Sequence, residues 1–149
     1  SLEEYRGLQT KINTPICLDE SIQTMGELKR AIQYEAFQVL NIKIGRVGGL
    51  FYVKQMIQYC RTQGIGYWIG SMVESGISKI LHIQLAALTD TYMEGDLSDS
   101  RRYFDQDFIV PEIVFENGKM KCPEGNGLGV KINKSAILKQ AVETLKVGR

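Results

Sequence analysis

Two short apolar segments of the sequence carry a side chain that could do chemistry. One segment is followed by a carboxylate, and the other contains a lysine. Asp19 ends the apolar segment 15–18, and Lys43 lies inside the apolar segment 39–44. A carboxylate on a rigid element can hold Mg²⁺, a hard cation that prefers oxygen ligands. A lysine that loses solvation can act as a base or as a fixed cation. The structural alternatives are a helix-capping or solvated role for Asp19 and an exposed edge strand for Lys43.

Two glycine-containing loops are candidate ligand-binding segments. The first, residues 45–49, precedes a helical pattern and could receive a phosphate, although it lacks the G-x-G-x-x-G fingerprint of dinucleotide-binding proteins. The second, residues 70–76, has small residues that let its backbone approach a ligand, with Glu74 as a hydrogen-bond acceptor. Its structural alternative is a helix entry capped by Ser75. The only histidine, His82, lies in mid-helix, which argues against a catalytic role.

These residues require elements that place them at one edge of a sheet. Four short apolar segments have polar ends near residues 19, 43, 70 and 95, so the repeat is about 25 residues. Short apolar runs bounded by turn residues suit buried parallel strands. Helical patterns are predicted over Ile22–Glu35 with Ser21 as N-cap, Leu50–Cys60 with Gly64 as stop, Ile77–Leu88, and Ser135–Lys146.

A repeating strand–helix pair predicts an α/β fold, either a doubly wound sheet or part of a (β/α)₈ barrel. A complete barrel takes about 250 residues, so four units correspond to half of one. We predict four such units over residues 1–107 and a tail over 108–149. In the tail, residues 116–119 are predicted to form a hairpin turn between residues 109–115 and Met120, and a loop is predicted over 123–129.

Composition excludes several classes of function. The 149 residues include 18 basic and 17 acidic side chains, a net charge of +1, which argues against a nucleic-acid-binding protein. No apolar run approaches the roughly 20 residues that span a bilayer, so a membrane role is not expected. Three widely spaced cysteines predict free thiols and a cytoplasmic location rather than a disulfide framework.

Three motifs together resemble the barrel domain of the enolase superfamily, in its muconate-lactonizing subgroup. They are residues 15–21 (P-I-C-L-D-E-S), 41–49 (N-I-K-I-G-R-V-G-G) and 70–77 (G-S-M-V-E-S-G-I). The resemblance extends from about Tyr5 to Ile132, and it implies that the chain corresponds to the fifth to eighth strands of the barrel.

The resemblance also implies roles for individual residues. Asp19 corresponds to the family's third Mg²⁺ ligand, and Lys43 to the lysine on the sixth strand that stabilises the enediolate or acts as a base. The residues that correspond to the substrate pocket are Ser71, Met72, Glu74, Ile77 and Asp96. The expected cofactor is Mg²⁺, and the expected partner is a small carboxylate substrate.

Other family motifs have no counterpart here. Superfamily members carry a K-x-K motif on the second strand and acidic metal ligands on the third and fourth, and nothing before Asp19 matches them. We therefore expect a carboxyl-terminal fragment, whether made deliberately or encoded by a truncated gene. One carboxylate is too few for tight Mg²⁺ binding in water, so the fragment alone is expected to bind metal poorly and to turn over little substrate.

The resemblance implies three alternative functions. The first is a Mg²⁺-dependent carbon–oxygen lyase of the o-succinylbenzoate synthase kind, which dehydrates a cyclohexadiene carboxylate in menaquinone biosynthesis. The second is an N-acylamino acid racemase or another muconate-cycloisomerase-like enzyme. The third is a non-catalytic half-barrel that serves as an assembly module.

A half-barrel is expected to need a partner for its open surfaces. It leaves unpaired strand edges and a lumen face, including Cys17, Asn41 and Lys43, without the layers that fill a complete barrel. We expect a two-fold homodimer, the commonest soluble homo-oligomer. The alternative is a monomer in which the tail hairpin covers one edge.

Overall fold

The computed structural model describes residues 1–88, 90–145 and 147. The chain forms two compact units. Unit 1 consists of residues 1–72 and 85–96, and unit 2 of residues 73–84 together with the described residues from 97 onwards. No helix in the described part of the chain has both the length and the apolar character needed to cross a membrane.

Unit 1 is built on a parallel sheet, as the strand–helix repeat predicts. Its elements are α1 (Leu2–Gln9), β1 (Cys17–Leu18), α2 (Met25–Gln33), β2 (Val39–Ile42), α3 (Leu50–Gln63) and β3 (Gly66–Ile69). The strand order is β1-β2-β3, and both pairings are parallel. The α/β class is therefore confirmed.

The register of the three strands fixes which residues share a face. Leu18 pairs with Leu40, which pairs with Tyr67, and all three are buried. Buried apolar residues of the helices complete this core: Leu28, Ala31, Val53, Met56, Ile57 and Cys60. Because side chains alternate along a strand, Asn41 and Trp68, which also pair, point to the opposite face of the sheet.

The helix ends of unit 1 are set by local side-chain chemistry. Ser21 is not the N-cap of α2: Thr24 takes that place, and Thr24 and Glu27 form a capping box in which each side chain binds the other's backbone amide. A reciprocal pair of bonds satisfies two orphan amides, which a serine three residues earlier cannot do. Gly64 ends α3 in the left-handed conformation, at φ 68°, as predicted.

The fourth predicted strand, residues 91–94, is not formed as a strand. One backbone bond, from Tyr92 N to Tyr67 O at 2.7 Å, joins this segment to β3. The side chains of Tyr92 and Met93 are about half exposed, so little burial favours further pairing. Within the described residues the parallel sheet therefore has three strands rather than the predicted four.

Unit 2 contains the first part of α4 (Gly76–Leu88) and the elements that follow residue 96. These are a short 3₁₀ helix (Ser100–Arg102), β4 (Ile109–Val110), β5 (Lys131–Ile132) and α5 (Lys134–Gln140). β4 and β5 pair antiparallel. A separate apolar core has Ile80, Ile83, Ile109 and Ile113 at its centre.

The tail follows the sequence prediction only in part. Residues 116–119 form the predicted turn, with Asn117 and Gly118 at positive φ and a bridge between Glu116 and Lys119. The strand at 109–110 pairs with residues 131–132 instead of continuing that hairpin, and Ile109 lies in the apolar core of unit 2.

The last predicted helix, Ser135–Lys146, is shorter in the structure. α5 ends at Gln140, Ala141 has extended backbone, and Val142 and Leu145 are exposed, so the predicted apolar face gains no burial there. Lys146 lies outside the described residues.

Candidate active site

The polar residues of unit 1 gather on one face of the parallel sheet, beyond the carboxyl ends of β1 and β2. Asp19 follows β1, Asn41 lies in β2, and Lys43 comes one residue after the end of β2. Arg46 joins them from the loop that leads to α3. We call Asp19, Asn41, Lys43 and Arg46 the strand-end cluster.

The carboxylate of Asp19 is the centre of this cluster. Its Oδ2 accepts hydrogen bonds from Lys43 Nζ at 3.0 Å and from Asn41 Nδ2 at 3.1 Å. Its Oδ1 accepts a hydrogen bond from Arg46 Nη1. Both carboxylate oxygens are therefore engaged by side chains, two of them cationic.

The surroundings of Asp19 favour its ionised form. Burial by itself raises the pKa of the carboxyl, but the hydrogen bonds and positive charges of Lys43 and Arg46 outweigh burial and hold the pKa below its ordinary value. Asp19 is thus a carboxylate that is already neutralised by this chain's own cations.

Lys43 lies just outside the strand in which the sequence places it. β2 ends at Ile42, because the carbonyl of Lys43 accepts hydrogen bonds from Arg46 N and Val47 N and so begins a turn. The Lys43 side chain is 12% exposed, which excludes the solvated-lysine alternative.

Three amides of the glycine loop 45–49 donate hydrogen bonds to nearby backbone carbonyls. The amides of Arg46 and Val47 bind the Lys43 carbonyl, and the amide of Gly49 binds the Ile44 carbonyl at 3.0 Å. What this loop contributes to the face is the side chain of Arg46.

The end of β3 touches the cluster through Gly70. A side chain at position 70 would collide with the amide group of Asn41, and Gly70 N donates to Ile42 O at 2.9 Å. The next residue, Ser71, is fixed to Asp96: Ser71 N donates to Asp96 Oδ1 at 2.7 Å and Ser71 Oγ donates to Asp96 O at 3.0 Å. The structure thus brings two of the predicted substrate residues together.

The other predicted substrate residues have different surroundings. Met72, which ends the first segment of unit 1, is 53% exposed. Glu74 belongs to unit 2, where its Oε2 lies 3.5 Å from Nδ1 of the buried His82. Ile77 packs against the apolar core of unit 2. The roles of all three in substrate binding stay predictions.

Sequence reasoning left Asn41 and Arg46 out of the candidate site. Asn41 is 4% exposed, and its Oδ1 has no hydrogen-bond partner among the described residues; the same holds for Arg46 Nη2. The available signals were the shared face of Asn41 and Lys43 and the single arginine within a glycine loop three residues after Lys43.

The described residues do not fit a divalent metal by themselves. No group of three or more His, Cys, Asp and Glu side chains in this part of the chain could hold a metal ion. Asp19 supplies one carboxylate, and both of its oxygens already accept hydrogen bonds from cationic side chains.

The chain is similar to a known protein family over most of its length. Residues 1–136 match the sequence profile of the family described as enolase C-terminal domain-like. The chain belongs to that family. The resemblance drawn from the three motifs is therefore confirmed.

Individual relatives are similar across most of the chain. The o-succinylbenzoate synthase of Bacillus subtilis (strain 168) is 38% identical over 136 residues, which cover 91% of this chain and 37% of that protein. An N-succinylamino acid racemase of Amycolatopsis sp is 40% identical over 123 residues, which cover 83% of this chain and 33% of that protein.

A solved structure is also similar to this chain. An enolase-superfamily member from Enterococcus faecalis V583 superposes with a TM-score of 0.87 at 32% identity, over 93% of this chain and 38% of the other. The chain thus spans a little more than a third of the length of the curated relatives it matches.

Proposed function

We propose that this chain supplies one side of the active site of a Mg²⁺-dependent lyase of the o-succinylbenzoate synthase kind, with the rest of the site contributed by protein sequence outside this chain. The observation that carries the proposal is the placement of Asp19 and Lys43, 3.0 Å apart, on one face at the strand ends. The similarity to the Bacillus subtilis synthase supports the choice of reaction.

In this proposal Lys43 stabilises the negative charge that develops on the substrate. A proton next to a carboxylate is very weakly acidic, and its removal builds negative charge on the carboxylate oxygens. A largely buried ammonium stabilises such charge far better than a solvated one does, because the low local dielectric strengthens the interaction. Lys43 is held in place by Asp19, so it is oriented before substrate arrives.

The remaining residues of this chain bind and orient the substrate. Ser71 and Asp96 are fixed to each other next to the end of β3, which gives the loop after β3 a defined position. Met72 would give an apolar contact to the substrate.

Asp19 would be one ligand of the Mg²⁺ in the whole protein. This chain does not complete that site, so the other ligands would come from outside it. When bound, Mg²⁺ stabilises negative charge on a substrate carboxylate.

Racemisation of N-succinylamino acids is a second candidate. The Amycolatopsis racemase is 40% identical to this chain, no less than the synthase. Both reactions begin at a carbon next to a carboxylate, and the strand-end cluster contains nothing that distinguishes them.

The test is an assay of the whole protein on both substrates, the cyclohexadiene carboxylate and N-succinylamino acids. Lys43→Ala should lower turnover by about 10²-fold or more, because a group that transfers a proton or stabilises charge is removed. Lys54→Ala, an exposed lysine of α3, is the matched control and should leave turnover unchanged. Turnover of N-succinylamino acids alone would replace the synthase by the racemase. A Lys43→Ala enzyme within a few-fold of wild type would reject the role of Lys43.

A further inference from the structure

Two loops of unit 2 contain an asparagine that is followed directly by a glycine. They are Asn117–Gly118 in the hairpin turn and Asn126–Gly127 in the loop over residues 123–129. The other three asparagines of the chain precede threonine, isoleucine and lysine. A glycine has no side chain to shield its backbone nitrogen, so this nitrogen can approach the side-chain amide of the residue before it. Both pairs are therefore places where the chain could react with itself.

The hairpin turn holds the Gly118 nitrogen away from the side chain of Asn117. Glu116 N donates to Lys119 O at 2.9 Å, and Lys119 N donates to Glu116 O at 3.0 Å. Asn117 and Gly118 have φ values of 51° and 73°, as in a type I′ turn, where the first central residue has a ψ of about +30°. At that ψ the next backbone nitrogen points away from the asparagine side chain. Bringing the two together breaks both hydrogen bonds that close the turn.

The loop around Asn126 is closed less firmly. Within the part of the chain that the structure describes, its turn has one backbone hydrogen bond, from Gly129 N to Asn126 O at 3.3 Å. Gln84 Nε2 also donates to Gly127 O at 3.1 Å and to Leu128 O at 3.3 Å. These two carbonyls lie beyond the Asn126–Gly127 peptide, and the glycine between can absorb a rotation of that peptide. Asn126 is exposed, so water reaches it.

We propose that Asn126 is a self-modification site of this chain, which deamidates to aspartate and isoaspartate without an enzyme, whereas Asn117 is protected by its turn. The inference concerns unit 2 alone and does not rest on the proposed function.

The reaction consumes water and releases ammonia. The Gly127 nitrogen attacks Cγ of Asn126 and forms an N–Cγ bond, while the Cγ–Nδ2 bond breaks and ammonia leaves with the proton of the Gly127 amide. Water then opens the five-membered imide. Attack of water at Cγ gives aspartate in the ordinary backbone. Attack at the main-chain carbonyl carbon of residue 126 gives isoaspartate, which lengthens the backbone by one carbon.

Either product changes the loop. One added carboxylate lowers the net charge of the chain from +1 to 0, and it stands two positions after Glu124 in the sequence. The longer backbone of isoaspartate also shifts the carbonyls of Gly127 and Leu128, which Gln84 of α4 holds. Leu128 packs against the apolar core of unit 2, so isoaspartate should weaken the attachment of this loop to α4.

A comparison of the two asparagines within one sample tests the proposal. We would incubate the purified 149-residue chain at mildly alkaline pH, which favours loss of the amide proton, and follow deamidation by tryptic peptide mass spectrometry. Trypsin puts the two asparagines in separate peptides, because Lys119 and Lys121 lie between them. In the folded chain Asn126 should react about tenfold or more faster than Asn117, because less structure must open. A sample digested at time zero corrects for deamidation during digestion.

Two controls connect this ratio to the structure. In urea the turns are lost, and the two rates should agree within about threefold, since a glycine follows both asparagines. Lys119→Pro removes one hydrogen bond of the hairpin and disfavours positive φ at Gly118. In that variant the Asn117 rate should rise by about threefold or more, while the Asn126 rate stays the same.

The proposal is overturned if Asn117 of the folded chain reacts as fast as Asn126, or if Asn126 stays intact over a period in which the urea-unfolded chain is modified. A Lys119→Pro chain that folds but keeps Asn117 as slow as in wild type shows that the turn does not protect it. Far-UV circular dichroism checks the fold of this variant. If it does not fold, the comparison of folded and unfolded wild type decides.

Discussion

Both units of this protein bury charged side chains, but the hydrogen bonding of the buried polar atoms differs between the two units. In unit 2, Asp107 is 1% exposed and accepts hydrogen bonds from Gly76 N at 2.8 Å, from Phe108 N at 2.6 Å and from Ser100 Oγ. In the strand-end cluster of unit 1, by contrast, two buried atoms have no partner among the described residues.

The buried lysines show the same difference. Lys79 of α4 is fully buried, donates to Ser98 Oγ at 3.2 Å and lies 4.8 Å from the centre of the Tyr103 ring. Lys43 is 12% exposed and donates to Asp19 Oδ2 at 3.0 Å. A polar group surrounded by its own protein fixes the structure, while one left with spare hydrogen-bonding capacity is available to a ligand. Asp107 is therefore a structural group, whereas Asn41 Oδ1 and Arg46 Nη2 have hydrogen-bonding capacity that the described residues do not use.

Removal of the Asp107 carboxylate should have the largest effect on stability. Asp107→Ala leaves two backbone amides and a buried hydroxyl without their acceptor, and we expect a loss of about 3 kcal/mol in the free energy of unfolding. Urea denaturation of the purified chain measures this. Asp105→Ala, at an exposed position two residues earlier, is the control and should change stability by less than about 0.5 kcal/mol. Equal effects of the two variants would contradict a structural role for Asp107.

A methyl group at Gly70 should disturb the binding region by a smaller amount. Gly70→Ala drives a Cβ into the amide of Asn41, which we expect to cost about 2 kcal/mol and to displace Asn41 from Asp19. Gly45→Ala is the matched control, because nothing lies within 4 Å of a Cβ there, and its effect should stay below about 0.5 kcal/mol. Denaturation gives both values. A neutral Gly70→Ala would mean that Asn41 is not held against β3.

The sequence was sufficient for what depends on local pattern. Apolar runs with polar ends located β1, β2 and β3, and Gly64 marked the end of α3. The motifs also singled out Asp19 and Lys43, whose Oδ2 and Nζ atoms lie 3.0 Å apart in the structure, while their roles in catalysis stay predictions.

What the sequence missed depends on contacts between distant residues. Arg46 reaches Asp19 across 27 positions, and nothing in a glycine loop indicates which way an arginine turns. The N-cap of α2 was misplaced because two suitable residues, Ser21 and Thr24, compete and only Thr24 has Glu27 as its capping-box partner. The segment 91–94 has a strand-like composition but too little burial to pair beyond Tyr92.

Replacement of Lys79 by an apolar residue should change how the stability of unit 2 depends on pH. Burial lowers the pKa of Lys79 below its ordinary value of 10.5, and nearby Tyr103, Asp107, Glu74 and Asp99 only partly offset this. The folded state therefore loses this proton before the unfolded state does, and stability rises as the pH increases from the lowered pKa toward 10.5. Lys79→Met should be more stable than wild type by about 1 kcal/mol near neutral pH, with the advantage shrinking over that alkaline range.

Denaturation of wild type and Lys79→Met at a series of pH values measures this difference. Lys54→Met, an exposed lysine of α3, is the control and should show no such trend. A Lys79→Met chain that is several kcal/mol less stable at neutral pH would show that the lysine charge itself supports unit 2.

The smallest expected effect is the loss, at acid pH, of the stability that the ionised Asp19 carboxylate contributes. The pKa of Asp19 is lowered in the folded state: burial opposes this shift, but Lys43 and Arg46 overcome it. The ionised carboxylate therefore contributes stability above the ordinary carboxyl value of 3.8, and this contribution is lost as the pH falls through the lowered pKa. Because the carboxylate is partly exposed, we expect wild type to exceed Asp19→Asn by less than about 1 kcal/mol at pH 6. Urea denaturation of both chains between pH 6 and pH 3 tests this, since the difference between them cancels the contributions of the other carboxylates. A difference that persists unchanged at the lowest pH would show that Asp19 acts through its shape and not through its charge.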